Sequence, residues 1–276
     1  MIPYAFDYTR PESVEEALDL LDDDAKLLAG GHSLVPALKL RLSAPGRLID
    51  IARIPSLKGI REENGEIVIG AGTTHAEIMK SDLLKQHLPM FAEGAALIGD
   101  PMVRHKGTIG GSLAHADPSA DWPAMVIAAD GEVVLRGRNG SRSVAAADFF
   151  IGFYSTALEE GEIITEIRLP VPAEGTRMNY QKFAQPASRF AIVGCAVVRH
   201  PDGSVRVAFT GVSDAPFRDT GVEEALSGQQ LTDDVIEAAA AKAAEGVSLN
   251  SDHFASEEYR QHLARVYCKR ALNAVA

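Results

Sequence analysis

Cysteine is nearly absent: the 276 residues contain only Cys195 and Cys268. Two thiols so far apart exclude the clustered spacing that zinc or iron–sulfur sites require, and they do not make a disulfide framework in a chain of this size. Cys195 lies in the apolar run AIVGCAVV and reads as a core residue, while Cys268 sits near the end of a helical pattern and carries no assigned role. Blocks of Lys or Arg are missing too. With a formal net charge of -11 the chain repels polyanions, so no nucleic acid is expected as a partner. No apolar run approaches the roughly 20 residues of a membrane span, so no transmembrane segment is expected. The N-terminal MIPYAFDYTRPES has neither the basic start nor the apolar stretch of a secretion signal, and a soluble cytoplasmic protein is the expectation. What is present is an ordinary apolar share, 46%, enough for two or three units with buried cores.

The first unit reads as a helix over Ser13–Leu21, a strand over Lys26–Ala29, a glycine turn, a helix over LVPALKLRL and a strand over Arg47–Ile51: a β-α-β unit ending near residue 55. Pro36 suits the first turn of its helix, where the missing N–H is harmless. A second unit begins with the strand Glu66–Gly70 and runs through helices that include MFAEGAALI. Lys106–Ala120, rich in Gly, Ser and Ala without a period, reads as a loop beside a ligand. A helix over Asp121–Ala129 and strands over Glu132–Arg136 and Glu162–Leu169 complete it. VPAEGT at 171–176 reads as a linker. Beyond it, AIVGCAVVRH and SVRVAFTGV flank Pro201-Asp202-Gly203, a hairpin signal, because proline presets φ and glycine permits φ > 0. Helical patterns over 232–246 and 256–276 close the chain.

Ala29-Gly30-Gly31-His32-Ser33 lies between a strand and a helix. Two residues without Cβ let the backbone approach a ligand, and consecutive N–H groups there suit phosphate oxygens; a tight turn that needs glycine is the alternative. Thr108-Ile109-Gly110-Gly111-Ser112 repeats the theme, and the pair together points to a diphosphate gripped from two sides. Gly70-Ala71-Gly72-Thr73-Thr74-His75 follows a strand as a dinucleotide fingerprint does, but His75 replaces the third glycine and no clean βαβ unit follows. His115, Asp117 and Asp121 match no metal spacing, and a polar loop beside a nucleotide has the same composition. Ser112 lacks the flanking glycine of a nucleophile elbow, and His32 has no nucleophile to activate.

LLAGGHSLVPALKLRL, IGDPMVRHKGTIGGSLAHADPSADWPA and YQKF followed by SRFAIVGCAV resemble, in order over essentially the whole chain, the FAD-binding medium subunit of the molybdenum hydroxylases, the carbon monoxide dehydrogenase and xanthine dehydrogenase type. The resemblance implies an α+β fold: a two-subdomain FAD-binding domain of the vanillyl-alcohol-oxidase/PCMH type at 1–173 (subdomains about 1–55 and 56–173), then a smaller α+β C-terminal domain with a β-sheet and helices at 174–276. It implies FAD as cofactor, with Ala29, Gly30, Gly31, His32, Ser33 and Leu34 around the diphosphate and Thr108, Ile109, Gly110, Gly111 and Ser112 on its other side. Asp121 then hydrogen-bonds the cofactor, Ile98 packs on the flavin, Ile164 gives an apolar contact and Lys182 is a nearby base. Arg189 or Phe190 faces the flavin ring. Ser112 departs from a frequent asparagine and Met102 from a frequent glutamine. The implied role is electron transfer: a small iron–sulfur subunit with two [2Fe–2S] clusters and a large molybdenum-cofactor subunit are the partners, in a dimer of heterotrimers, and electrons pass through FAD to a quinone, NAD or another acceptor. A stand-alone FAD-dependent oxidoreductase and a non-catalytic nucleotide-binding scaffold are the alternatives, and co-purification with a cysteine-rich partner separates them.

Overall fold

Three sheets of three or more strands organise the computed structural model, which describes residues 1–276. The first unit contains β1 (Asp7–Thr9), α1 (Val14–Leu20), β2 (Ala25–Leu28), α2 (Leu34–Lys39) and β3 (Arg47–Asp50), and its sheet has the order β1-β3-β2 with both pairings parallel. The expected β-α-β unit is therefore present. Ser13 starts α1 by accepting the Glu16 N–H at 3.1 Å, while the Glu16 carboxylate accepts the Glu12 N–H at 2.8 Å. Val14, Ala17 and Leu18 then pack on Ile49, Ile51 and Leu57, and Ile163 from the second unit joins them. Strand β1 went unread because its half-exposed DYT has no apolar alternation. Helix α2 stops short of the expected Leu42: Arg41 turns left-handed at φ 59°, and Leu40 and Leu42 are exposed rather than core-facing.

The second unit runs through β4 (Ile60–Glu63), β5 (Glu66–Gly70), α3 (His75–Lys80), α4 (Asp82–His87), α5 (Pro89–Leu97), α6 (Pro101–Arg104), α7 (Ile109–His115), α8 (Asp121–Ala128), β6 (Glu132–Gly137), β7 (Gly140–Ala145), α9 (Ala146–Phe149), β8 (Phe150–Gly152), β9 (Ser155–Thr156) and β10 (Ile163–Pro170). Its antiparallel sheet has the order β4-β5-β10-β6-β7. The edge strands β4 and β7 are additions to the sequence reading. Both are largely exposed and so lack an apolar pattern, although Asn64-Gly65, with both residues at positive φ, is the hairpin turn that joins β4 to β5. Trp122, Phe91, Met125 and Ile69 anchor the core under this sheet.

The third unit comprises β11 (Arg177–Ala184), β12 (Ala191–Arg199), β13 (Val205–Thr210), β14 (Phe217–Arg218), α10 (Thr220–Leu226), α11 (Asp233–Ala240) and α12 (Glu257–Val275). Strand β12 is apolar on both faces because both are covered. Val193, Cys195 and Val197 pack on the core with Leu263, Cys268 and Leu272, whereas Ala196 and Val198 join the core of the second unit. Pro201-Asp202-Gly203 forms the expected hairpin turn, with Gly203 at φ 88°. The helix read over 232–246 ends early, since Ala244 and Gly246 both adopt positive φ. No helix is long and apolar enough to cross a membrane.

Candidate functional site: a cleft between the two glycine loops

A cleft of about 1270 Å³ is lined by residues from all three units. Its first wall is the turn between β2 and α2. None of the five backbone N–H groups from Ala29 to Ser33 donates to an acceptor of the protein, an uncommon state for consecutive amides unless a ligand or water accepts from them. Gly31 holds φ 73°, which turns this row of donors without a steric penalty. Gly30 has a different reason. A Cβ there would lie 2.1 Å from the Lys106 carbonyl oxygen and 2.8 Å from the Gly107 Cα, so the two glycine loops touch backbone to backbone. Gly30→Ala is accordingly expected to destabilise the chain by about 1–3 kcal/mol, read from urea unfolding, because the loops must separate.

The second loop is not irregular as expected. Residues 109–115 form α7, which hydrophobic periodicity could not reveal because IGGSLAH is built of small side chains. Thr108 caps it, accepting the Gly111 N–H at 3.1 Å, while Ser112 N–H donates to the Thr108 carbonyl at 3.0 Å. Two more amides are used against the segment after β5: Ile109 N–H donates to Thr73 O at 3.1 Å and Gly110 N–H to Ala71 O at 2.9 Å. Gly110 lacks a side chain because a Cβ would meet the Ala71 backbone at 2.8 Å, whereas Gly111 has only its own cap and Ala29 nearby. Gly70-Ala71-Gly72 is thus a support for the second loop. Its glycines pass close to the Leu57 backbone.

Of the residues singled out in the sequence, Ala29–Leu34, Ile98, Thr108, Gly110, Gly111, Ser112, Asp121 and Ile164 line the cleft. Ile109 does not: it is fully buried in the core of the second unit. Lys182 lines a smaller neighbouring cavity of about 280 Å³ and reaches the main site through Asp121. Arg189 and Phe190 line the cleft from the β11–β12 loop, with Arg189 at φ 62°. Lys26, Arg138 and Arg142 also line it and were not foreseen. Asn139-Gly140 marks the β6–β7 turn in sequence, but nothing local says that Arg138 beside it reaches the end of α1, where it donates to the carbonyls of Leu18, Asp19 and Leu21.

Asp121 is the most constrained polar group. Its carboxylate accepts Tyr180 O–H at 2.6 Å and Lys182 N–H at 2.9 and 3.0 Å, and Lys182 also donates to the Leu97 carbonyl at 3.0 Å. Burial pushes the Asp121 carboxyl above the usual range, while the Lys182 ammonium and the Tyr180 hydroxyl pull it back. The same burial, with the carboxylate beside it, pushes the Tyr180 phenol well up. Tyr180 fits only because Gly194 opposite has no side chain: a Cβ there would sit 2.3 Å from the phenol oxygen. Asp117 accepts the Tyr154 O–H at 3.0 Å, and burial together with that carboxylate pushes the Tyr154 phenol up to about 12.

The FAD binding domain of molybdopterin dehydrogenases matches residues 4–172, and the carbon monoxide dehydrogenase flavoprotein C-terminal domain matches residues 178–275. The chain belongs to the FAD-binding subunits of the molybdopterin dehydrogenases. It is 45% identical to the carbon monoxide dehydrogenase medium chain of Hydrogenophaga pseudoflava over 99% of this chain and 98% of that one. The glyceraldehyde dehydrogenase medium chain of Sulfolobus acidocaldarius is 36% identical over the full length of both. Among solved structures, carbon monoxide dehydrogenase from Hydrogenophaga pseudoflava superposes with a TM-score of 0.96 at 46% identity, covering 100% of this chain and 98% of that one. This flavoprotein is therefore an oxidoreductase subunit of the medium, FAD-binding kind, and its cofactor is FAD.

Proposed function

We propose that the chain is the electron-transfer subunit of a cytoplasmic molybdenum hydroxylase complex, taking electrons from the [2Fe–2S] clusters of a small partner subunit and delivering them to an external acceptor. A large molybdenum-cofactor subunit oxidises the substrate, and the assembly is a dimer of heterotrimers. The observation that carries the reading is the row of free amides at Ala29–Ser33 opening into a cleft of dinucleotide size. Bound there, FAD supplies chemistry that joins one-electron carriers to a two-electron acceptor. The two cysteines of this chain are both buried in the third unit, so the one-electron carriers belong to a partner. We place the boundary between the FAD-binding and C-terminal domains at 173/174, in the linker between β10 and β11.

In this reading the amides of Ala29–Ser33, followed by Leu34, hold the diphosphate, and Thr108–Ser112 closes on it with hydroxyls and the bare Cα of Gly111 rather than with the amides of Ile109–Ser112. Ile98 and Ile164 supply apolar surface. The Asp121 carboxylate offers about four lone-pair sites and uses three on Tyr180 and Lys182, which leaves it able to accept from one hydroxyl or N–H of the cofactor. Lys182, fixed between Asp121 and the Leu97 carbonyl, places a positive charge behind that contact.

The test is flavin uptake. The purified chain incubated with excess FAD is expected to retain flavin absorbance, with released FAD identified. Gly111→Trp, which pushes an indole into the groove between the loops, is expected to abolish uptake while the circular dichroism stays that of the folded chain. Normal flavin content in that variant would remove the second loop from the site.

A further inference from the structure

His75 stands where a dinucleotide fingerprint carries its third glycine, and the proposed function leaves it without a role. It opens α3, and its backbone N–H donates to the Gly107 carbonyl at 3.0 Å. The side chain is almost wholly buried and forms part of the cleft wall. Nδ1 lies 3.0 Å from Trp122 Nε1, and the indole N–H can only donate, so Nδ1 must be the acceptor. The remaining ring proton is then on Nε2, which makes the ring a neutral donor with a fixed tautomer. Trp122 itself is fully buried and packs on Phe91, so this arrangement is rigid.

The free edge of the ring faces the contact between the glycine loops. A Cβ on Gly107 would come within 2.6 Å of Nε2, and Gly107 is the residue whose Cα meets Gly30. No hydrogen bond within the protein uses Nε2. The only buried side-chain polar atoms sealed off without a partner are Thr176 Oγ1 and Arg260 Nε, so the Nε2–H is not sealed and reaches the cleft. His32 and Arg104 are the charged or titratable groups whose electrostatic influence reaches the ring, and both oppose a positive charge on it.

We propose that His75 is a cofactor-binding residue whose Nε2–H donates to a phosphate oxygen of the dinucleotide held by the Ala29–Ser33 amides. The proposal rests on the FAD reading of the cleft. A neutral donor complements backbone amides there: it adds a hydrogen bond to the anion, and Trp122 keeps the proton on the side that faces the ligand. Replacing the third glycine of the fingerprint thus exchanges close helix–strand packing for a side-chain donor.

The test uses the full chain freed of flavin, with FAD and ADP as probes, since ADP carries the diphosphate without the flavin ring. His75→Phe keeps an aromatic ring but removes the donor, and is expected to weaken both ligands tenfold or more, about 1.4 kcal/mol. His75→Gln retains an N–H and is expected to stay within about threefold of the parent. In histidine-labelled parent protein, ADP is expected to shift the His75 Nε2–H resonance downfield, a change that a packing role does not produce. Unchanged ADP affinity in a folded His75→Phe, or an Nε2–H resonance indifferent to bound ADP, overturns the proposal; where His75→Phe does not fold, the resonance decides. If the parent chain takes up neither probe, the FAD reading of the cleft fails first, and the proposal with it.

Discussion

Lys182→Met is expected to destabilise the folded chain by about 3–5 kcal/mol, because it leaves the Asp121 carboxylate buried beside a single donor, Tyr180. The side chains of Lys182 and Asp121 are 3% and 4% exposed, so little water reaches the carboxylate to replace the lost ammonium. Urea unfolding followed by circular dichroism gives the number, and Asp121→Leu combined with Lys182→Met is expected to recover most of it. The experiment also settles which force wins at Asp121. Burial pushes this carboxyl toward its neutral form and the ammonium toward its ionised one. With an ionised carboxylate the single variant shows the full loss; a loss below about 1 kcal/mol would mean that the acid is already protonated in the fold. The ion pair also joins the second unit to the third, so the variant is expected to lose flavin along with stability.

The parts of the site that could be read from the sequence are those whose reason is local. Ala29–Ser33 announces itself because a strand, two glycines and a helix follow one another between Ala25 and Lys39, and the structure gives that segment a row of free amides. The second loop was readable as part of the cleft but not as a helix, because α7 draws its order from the Thr108 cap and from Gly110 lying against Ala71, neither of which leaves a hydrophobic period. Gly30 is needed for a contact with residues some seventy-six positions away, so no local pattern distinguishes it from Gly31, whose need is conformational. Strands β4 and β7 are held by pairing at the sheet edges while their side chains face solvent, and the period-2 signal is lost with burial. His75 shows the limit from the other direction: the failed fingerprint was visible, but the partner that gives the substituted residue a purpose, Trp122, is brought beside it only by the packing of α3, α5 and α8.

The neutral state of His75 has a consequence for stability that can be separated from cofactor binding. Burial pushes its pKa down to about 4, against an ordinary value of 6.5. Between those two values the unfolded chain binds a proton that the folded chain does not, so stability rises with pH in this window; it is fully present above about pH 6.5 and is lost as pH falls toward 4. The gap of about two and a half pH units corresponds to about 3 kcal/mol at 1.36 kcal/mol per unit. Urea unfolding at pH 7 and pH 4 is expected to show this loss in the parent and not in His75→Gln, and the difference between the two proteins removes the contribution of the carboxylates that titrate in the same range. Equal pH slopes would mean that the ring can take up a proton in the fold. The geometry opposes that, because a protonated Nδ1 would point a second donor at the Trp122 N–H only 3.0 Å away, and the indole, fully buried against Phe91, has no room to turn aside.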